Sequence, residues 1–451
     1  MNAPYIDKIQ RSLDLDFCFD VIGSEQLESC FAVTQLATSV LGAVGGTIAN
    51  LNNSLNLCSS LPSISVDQRL SSLWFSQSIY PIDWELPPIW DSLAGDYQTK
   101  DGWIKLHTNL AHHREAAVKV LDCRDKREYV SEVVLNWLSD ELESAIVQAG
   151  GVAAALRSRE EWQIHPQGNA VAAEPLIYWD KPRNVDFSFS PASQKKPLKG
   201  LKVLDLTRVL AGPVATRTLA GFGASVLRVD PPDWEEPNVV PDITLGKRCT
   251  RLQLDKTSDR EVFERILQSA DVLVHGYRPG ALDGLGYGET TRQKIAPGLI
   301  EVCLDAYGWT GPWAERRGFD SLVQMSSGIA HTGMLWANKE IPTPLPVQAL
   351  DHATGYLMAA AVIRSVQMAI ESGKASNARL SLARTAGLLM SSTQTTQADF
   401  CATPSQQDFN DQIELTPWGT ANRLRPALNV SGTPMEWELT ANNLGTSEAM
   451  W

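Results

Sequence analysis

The sequence predicts an α/β fold built on a parallel sheet, together with a smaller α+β lobe. Apolar strand-like segments alternate with helix-like segments through the second half, and turn residues separate them. The 451 residues are enough for two or three domains. An apolar fraction of 43% and a charged fraction of 20% are typical of globular chains. Disorder throughout, a collagen-like repeat and a coiled coil are therefore excluded.

The second half contains the elements of this sheet. Predicted strands cover residues 201–206, 224–229, 251–254, 272–275 and 299–304. Predicted helices over residues 214–221 and 258–269 lie between them. Strands and helices that alternate at this spacing indicate a parallel sheet with helices on both faces, so the expected core is Rossmann-like.

The first half has a more helical pattern. Residues 132–149 have apolar positions at helical spacing and end at Gly150, which predicts one helix. Residues 95–108 alternate like strands around a turn. Residues 181–199 are rich in Pro, Ser and Lys, which is typical of a linker. We therefore predict a small lobe over 1–180, a linker over 181–199, and a core with a C-terminal tail over 200–451.

Charge and cysteine content limit the partners. Lys and Arg total 39 against 52 Asp and Glu, so the net charge is −13 and nucleic-acid binding is not expected. The seven cysteines are odd in number, scattered and without a C-x-x-C motif, which indicates thiols in a reducing compartment. The N-terminal segment mixes charges with its apolar residues, unlike a secretory signal, and we expect a cytoplasmic location.

One uncharged stretch has the length of a membrane span. Residues 29–66 contain no charged side chain, and residues 31–50 could cross a bilayer by length. Gly, Ser, Thr and Gln residues dilute the hydrophobicity of this segment. We therefore predict a buried helix and no membrane partner.

The first predicted βα turn does not have a dinucleotide-binding motif. The loop after residue 206 reads TRVLAGP and lacks the G-x-G-x-x-G glycines that allow close approach of the backbone to a pyrophosphate. Asp230 ends the second strand, where a ribose-binding acid lies in such proteins, but the glycines are missing. A nicotinamide cofactor is therefore not expected.

Residues 201–232, 246–255, 270–288 and 299–328 together resemble the family III CoA-transferases. That family includes formyl-CoA transferase, carnitine CoA-transferase and the α-methylacyl-CoA racemases. The resemblance implies transfer of CoA from an acyl-CoA thioester to a carboxylic acid acceptor, with coenzyme A as a substrate and no separate cofactor. It also implies a homodimer of two interlocked chains.

The order of segments differs from the family pattern. GDYQTKDGWIKLH and RSREEWQIHPQGNAV, in the first half, resemble small-domain segments that normally follow the core. Here they precede it, so the chain resembles a subgroup with rearranged segment order.

Asp351 is the candidate nucleophile. The resemblance implies this role for an Asp about thirty residues beyond a GFD word, and Asp351 lies 31 residues after Asp320 of that word. An aspartyl carboxylate splits thioester exchange into easier covalent steps. The alternative is that Asp351 serves as the N-cap of a helix beginning at His352. We interpret His352 itself as a structural histidine whose hydrogen bonds are satisfied.

The resemblance also implies a CoA site. Arg228 is expected to bind a CoA phosphate, Gly276, Tyr277 and Arg278 to line the adenine and pantetheine, and Leu285 to contact the adenine. Phe319 is also expected to be a CoA-binding residue. Core packing is the alternative for Tyr277 and Leu285, and Lys247 and Arg248 are either phosphate contacts or a surface pair. Backbone amides near Asp351 and the glycines around Gly328 are candidate oxyanion donors.

Phe319 separates the possible activities, because the racemases have a His at this position that pairs with the downstream Asp. Its replacement by Phe favours a transferase. An acyl-CoA racemase or epimerase remains the enzymatic alternative, and an inactive homologue that binds CoA or a protein is the other. His107, His112 and His113 do not have metal-site spacing, and no metal is expected.

Overall fold

The structure is a computed structural model that describes residues 4–191, 193–392, 400 and 403–451. Cys401 therefore lies outside the described residues. The strands, numbered in chain order, are β1 Asp20–Ile22, β2 Ile64–Asp67, β3 Ile79–Pro81, β4 Gly95–Gln98, β5 Trp103–Leu106, β6 Ala153–Ala155, β7 Tyr178–Trp179, β8 Arg183–Asn184, β9 Lys202–Leu206, β10 Ser225–Asp230, β11 Lys247–Arg251, β12 Val272–His275, β13 Ile300–Asp305, β14 Lys374–Ala375, β15 Ala378–Ser381, β16 Glu414–Thr416, β17 Gly419–Arg423 and β18 Leu428–Val430.

The helices are numbered in the same way. They are α1 Ile6–Leu13, α2 Val33–Ser54, α3 Gln68–Trp74, α4 Ala111–Leu121, α5 Arg127–Val134, α6 Ser139–Gln148, α7 Arg159–Ile164, α8 Pro166–Ala173, α9 Ala211–Gly221, α10 Val240–Ile243, α11 Thr257–Gln268, α12 Ala281–Gly284, α13 Glu289–Ile295, α14 Asp320–Ser326, α15 Ile329–Trp336, α16 Ala349–Ser372 and α17 Leu382–Leu389. A 3₁₀ turn covers Gln406–Asp408.

A seven-stranded sheet organises the second half. Its strand order is β11-β10-β9-β12-β13-β15-β7. The first six strands are parallel, and β7 pairs antiparallel with β15 at the edge. The predicted α/β fold with a large parallel sheet is confirmed.

Two element predictions were wrong in detail. The strand expected at 251–254 is β11, which begins four residues earlier, at Lys247. The sequence pattern missed this start because Lys247 is charged, and in the structure its ammonium group is buried against the Asp205 carboxylate at 3.0 Å. That buried charge obscured the apolar pattern of a strand. The single helix expected at 132–149 is divided into α5 and α6. Asp101, from the β4–β5 turn, accepts a hydrogen bond from the Ser139 N–H at 2.9 Å and fixes the start of α6.

The apolar helix α16 lies at the centre of the largest core cluster, packed between α2 and α9. Among the described residues it is the one helix whose length and hydropathy would allow it to cross a membrane, and 83% of that stretch is buried within the protein. Helix α2, the uncharged stretch discussed above, is likewise buried along most of its length, as predicted.

Packing does not follow the predicted division near residue 180. Strands β4–β6 and helices α4–α6 enclose a separate apolar cluster of their own. The segment from Tyr5 to Phe75 instead shares the main cluster with the sheet helices, and β7 extends the large sheet. The small α+β unit therefore occupies roughly residues 93–155 in packing, and the earlier part of the chain belongs with the core.

Gly355 allows α16 to approach α9 closely. A Cβ at this position would lie 2.3 Å from the Ala211 carbonyl oxygen, which is backbone and cannot move aside alone. Asp351 lies one helical turn before Gly355. This approach therefore sets the distance between Asp351 and the loop that precedes α9.

We predict that Gly355→Ala lowers the free energy of unfolding by about 1–3 kcal/mol, because the added methyl group overpacks the α9–α16 contact. Urea unfolding measures the change. Gly284→Ala, where a Cβ meets nothing within 4 Å, is the matched control and stays within about 0.5 kcal/mol. Equal effects in the two variants would contradict the close-packing argument.

Candidate active site

Asp351 lies where two cavities meet. Each cavity has a volume of about 410 Å³, and both are lined by Leu110, Val209, Leu210, Phe319 and Asp351. The first, which we call the basic cavity, opens at the carboxyl ends of β9, β12 and β13. The second, which we call the apolar cavity, is enclosed by residues 88–91 and 235–239. Ligands of open α/β sheets bind at the carboxyl ends of the strands, so the basic cavity is in the expected place.

Four arginines line the basic cavity, and one of them, Arg316, already pairs with Glu143 at 2.9 Å. The Arg208 guanidinium stacks on Trp234 at 4.3 Å and donates a hydrogen bond to the Tyr277 hydroxyl at 2.9 Å. Arg278 and Arg317 also line the cavity and are exposed. Burial and the positive charge of Arg278 lower the pKa of Arg317. Guanidinium groups bind phosphate in bidentate geometry, so this cavity is suited to a polyanion.

Gly276, Tyr277, Arg278 and Phe319, four of the predicted CoA-binding residues, line the basic cavity, and their contact with CoA stays a prediction. Leu285 lines neither cavity and packs against the apolar cluster beneath the sheet, which is the core-packing alternative.

Arg228 does not fit the predicted phosphate contact. Its guanidinium is fully buried, binds the Asp230 carboxylate through two hydrogen bonds of 2.8 and 3.0 Å, and pairs with Glu236 at 2.7 Å. Two neighbouring carboxylates overcome desolvation and raise the pKa of Arg228. Lys247 is also buried, with Asp205, so it is neither a phosphate contact nor half of a surface pair.

Arg228 instead supports the loop that separates the cavities. Glu236, which Arg228 holds, accepts a hydrogen bond from the Val209 N–H at 2.5 Å. Val209 has a φ of +65°, a conformation that a β-branched residue adopts only under constraint from its surroundings. The Arg228–Glu236 pair therefore helps to hold the shape of the loop between β9 and α9.

The Asp320 carboxylate caps the helix that carries Asp351. Its Oδ2 accepts the N–H groups of Leu350 at 2.8 Å and Asp351 at 3.0 Å, and Gln324 donates to its Oδ1 at 2.5 Å. The helix begins at Ala349, so Asp351 is its third residue and the alternative that Asp351 serves as N-cap is wrong. These two amides are occupied by Asp320, which removes them as oxyanion donors.

Gly328 is also excluded as an oxyanion donor by its position. It lines neither cavity and packs against the backbone of Arg159, where a Cβ would lie 2.5 Å from the nitrogen.

The two aspartates differ in environment. Burial and the negative charge of Asp320 raise the pKa of Asp351 well above its usual value, and no described residue donates a hydrogen bond to its carboxylate. Burial raises the pKa of Asp320 to about 6, against the effect of its hydrogen bonds. Asp320 therefore ionises first, because those hydrogen bonds stabilise its charge.

Histidines from the first half surround Phe319. The His107 ring stacks on Phe319 with centroids 4.0 Å apart, and its Nδ1 lies 3.4 Å from the Ser321 hydroxyl. Burial lowers the pKa of His107 to about 3, and that of His113 also to about 3. Both rings are therefore neutral near pH 7.

His352 is structural but not satisfied as predicted. Its ring stacks on Phe75 at 5.2 Å, and neither ring nitrogen has a hydrogen-bond partner among the described residues.

Sequence reasoning missed several residues of the site. Arg208 follows β9 directly, and that position at the carboxyl end of a parallel strand could have identified it. Trp234, Glu236, His107 and Arg317 gave no comparable signal, because distant segments bring them together. The potential metal-ligating group His275, Glu301 and Cys303 lies elsewhere, and Arg292 already pairs with Glu301 at 2.6 Å.

We predict that Arg228→Met lowers the free energy of unfolding by about 3–5 kcal/mol, because Asp230 and Glu236 lose their buried counter-charge. Urea unfolding measures this. Arg248→Met, which removes one hydrogen bond to Ser225, is the control and costs about 1 kcal/mol. Weaker CoA binding by Arg228→Met at unchanged stability would contradict the structural role and restore the phosphate contact.

Comparison with known proteins identifies the family. A family model described as CoA-transferase family III matches residues 198–424, half of the chain. The acetyl-coenzyme A transferase nodX of Hypoxylon pulicicidum is 37% identical over 208 residues, which are 45% of this chain and 34% of that protein. The succinyl-CoA:glutarate CoA-transferase of Mus musculus is 30% identical over 248 residues, 52% of this chain and 53% of that protein.

A solved structure of Rv3272 from Mycobacterium tuberculosis is 31% identical, with a TM-score of 0.40, and the match covers 44% of this chain and 57% of that one. The chain spans about a third to a half of the length of these curated relatives. The matched region contains the large parallel sheet, the loop after β9 and Asp351. The chain therefore belongs to CoA-transferase family III.

Proposed function

We propose that the protein transfers CoA from an acyl-CoA thioester to a free carboxylic acid, with Asp351 as the nucleophile. One observation carries this proposal: the Asp351 carboxylate, without a hydrogen-bond donor among the described residues, lies where the basic and apolar cavities meet. A thioester whose CoA occupies the basic cavity and whose acyl group occupies the apolar cavity has its carbonyl at this junction.

The chemistry follows from that position. A carboxylate oxygen of Asp351 attacks the thioester carbonyl, the C–S bond breaks, and CoA thiolate leaves an acyl-aspartyl anhydride. The thiolate then attacks the aspartyl carbonyl and releases the acyl group as a carboxylate. An acceptor carboxylate attacks the aspartyl-CoA thioester, and CoA thiolate returns to the acceptor carbonyl, which frees Asp351.

The basic cavity supplies the CoA site in this proposal. Arg208, Arg278 and Arg317 bind the phosphates, while Gly276 and Tyr277 line the path toward Asp351. Coenzyme A acts as a substrate, and no separate cofactor is proposed. We further propose a cytoplasmic enzyme that forms an interlocked homodimer, as the family resemblance implies, and that has neither a nucleic acid nor a membrane as a partner.

A racemase or epimerase is the second candidate, because His107 lines the apolar cavity together with Asp351. Two-base racemisation needs a base on each face of the α-carbon. Burial lowers the pKa of His107 to about 3, so its neutral ring is a weak base, and this favours the transferase. A homologue that binds CoA without turnover is the third candidate.

We predict that hydroxylamine traps an acyl-CoA-dependent hydroxamate on the peptide that contains Asp351. Asp351→Asn reduces this adduct at least about a thousandfold, because an amide cannot attack the thioester. Intact and peptide mass spectrometry after incubation with an acyl-CoA panel makes the measurement. Asp271→Asn, which changes a half-buried acid that lines neither cavity, is the matched control and retains the adduct.

The other outcomes separate the alternatives. Deuterium incorporation at the α-carbon of a 2-methylacyl-CoA without an adduct supports the racemase. CoA binding with neither adduct nor exchange supports the inactive homologue.

We predict that the rate of adduct formation falls at low pH and that Asp320→Asn moves this fall to lower pH. Asp351 attacks as a carboxylate, and the Asp320 charge contributes to its raised pKa. Removal of that charge lowers the pKa of Asp351, so the reactive form persists to lower pH. Adduct formation rates from about pH 5 to pH 8 provide the test. Asp271→Asn, outside both cavities, leaves the pH profile unchanged. An unchanged pH profile in Asp320→Asn would contradict the electrostatic coupling between Asp320 and Asp351.

A further inference from the structure

The apolar cavity differs sharply in charge from the basic cavity. Its walls include Ile89, Trp90, Leu210, Pro237, Val239 and Phe319. Among the described residues, no lysine or arginine lines it, and its one histidine, His107, is neutral near pH 7. The cavity therefore offers apolar surface and no positive charge to a bound group, with neutral polar side chains from Asn109, Asn238, Ser321 and Gln348.

Three of the five acidic residues that line the apolar cavity are paired with arginines, and the other two are Asp320 and Asp351. Glu236 binds the buried Arg228, Asp91 pairs with Arg114, and Glu235 pairs with Arg251 at 2.5 Å. None of these three arginines lines the apolar cavity. An acyl group that ends in a carboxylate would place its negative charge among the carboxylates of these residues. The arginines that pair with them lie outside the cavity.

The apolar cavity is expected to disfavour the binding of an acyl group that carries a carboxylate. Burial of an ionised carboxylate without a partner is costly, whereas burial of a methylene group is favourable. The apolar cavity has the volume of a small-molecule site. It therefore favours a neutral hydrocarbon group and disfavours one that ends in a carboxylate.

We propose that the acyl group of the thioester substrate is uncharged and apolar. It derives from an aliphatic or aromatic monocarboxylic acid and not from a dicarboxylic acid. This inference rests on the proposed function, since it takes the apolar cavity as the acyl site beside Asp351. Dicarboxylates such as oxalate or succinate would place their second carboxylate in a cavity without a cation.

Two thioether analogues of CoA, S-hexyl-CoA and S-(3-carboxypropyl)-CoA, test the proposal without turnover. Their side groups have equal numbers of non-hydrogen atoms and differ in charge. Isothermal titration of the full chain is expected to show S-hexyl-CoA binding about tenfold or more tightly. Equal affinities, tighter binding of the carboxypropyl analogue, or binding of neither would overturn the proposal.

A charge-insertion variant locates the preference. Ile89 lines the apolar cavity and is 58% exposed, so Ile89→Arg adds a cation at the rim without disturbing the core. The ratio of the affinity for S-hexyl-CoA to the affinity for S-(3-carboxypropyl)-CoA is expected to fall at least about threefold. Ile413, 56% exposed and outside both cavities, gives the matched control Ile413→Arg, which leaves the ratio unchanged. An unchanged ratio in Ile89→Arg would place the acyl group elsewhere and overturn the proposal.

The proposed function can fail independently. If the analogues bind with the expected preference but no acyl-CoA gives an Asp351 adduct, the selectivity of the cavity is supported and the transfer mechanism is contradicted. If hexanoyl-CoA and succinyl-CoA form the Asp351 adduct at equal rates, the transfer mechanism is supported and the proposed selectivity for apolar acyl groups is contradicted.

Discussion

Enclosure of α16 is the constraint on which the site depends. Most of this helix is buried on every face, so other elements must cover it all round. Helix α2 covers it from the first half and α9 from the sheet. The same enclosure takes Asp351, near the start of the helix, out of water and raises its pKa. Burial that stabilises the fold thus places a carboxylate where its charge is poorly stabilised, as catalytic groups often require.

A buried helix start needs partners for its free N–H groups, and here Asp320 supplies them from α14. This arrangement leaves the Asp351 side chain without a capping role. It also puts two carboxylates close together, so one ionises at the expense of the other. Asp320, which has hydrogen bonds, ionises at the lower pH, and Asp351, whose carboxylate receives none from the described residues, needs a higher pH to become the carboxylate that the proposed mechanism uses.

Charge is distributed unequally around this centre. Three of the four arginines that line the basic cavity have no carboxylate partner among the described residues, whereas Arg228, Arg114 and Arg251 lie outside the apolar cavity and pair with carboxylates that line it. The loop between β9 and α9 lies between the cavities, and Glu236 holds its strained Val209 in place. Residues between 88 and 113 of the first half and between 206 and 382 of the second line the cavities. A rearranged segment order, which stays a prediction, would be compatible with this site, because chain order does not restrict which segments meet in space.

The sequence alone determined the alternation of strands and helices and the burial of α2, since these depend on local periodicity, and motif resemblance indicated Asp351 as the candidate nucleophile. It also indicated Gly276, Tyr277 and Arg278, which follow β12 at the carboxyl edge of the sheet and line the basic cavity, while their contact with CoA stays a prediction. Only the tertiary structure decided the roles of Arg228, Asp320 and His107. Their partners are distant in sequence or depend on side-chain direction, and no periodicity encodes which of several possible charges a buried group meets. The division of the site into a basic and an apolar cavity was likewise decided by the tertiary structure. It depends on which arginines line a cavity and which are paired with carboxylates outside it.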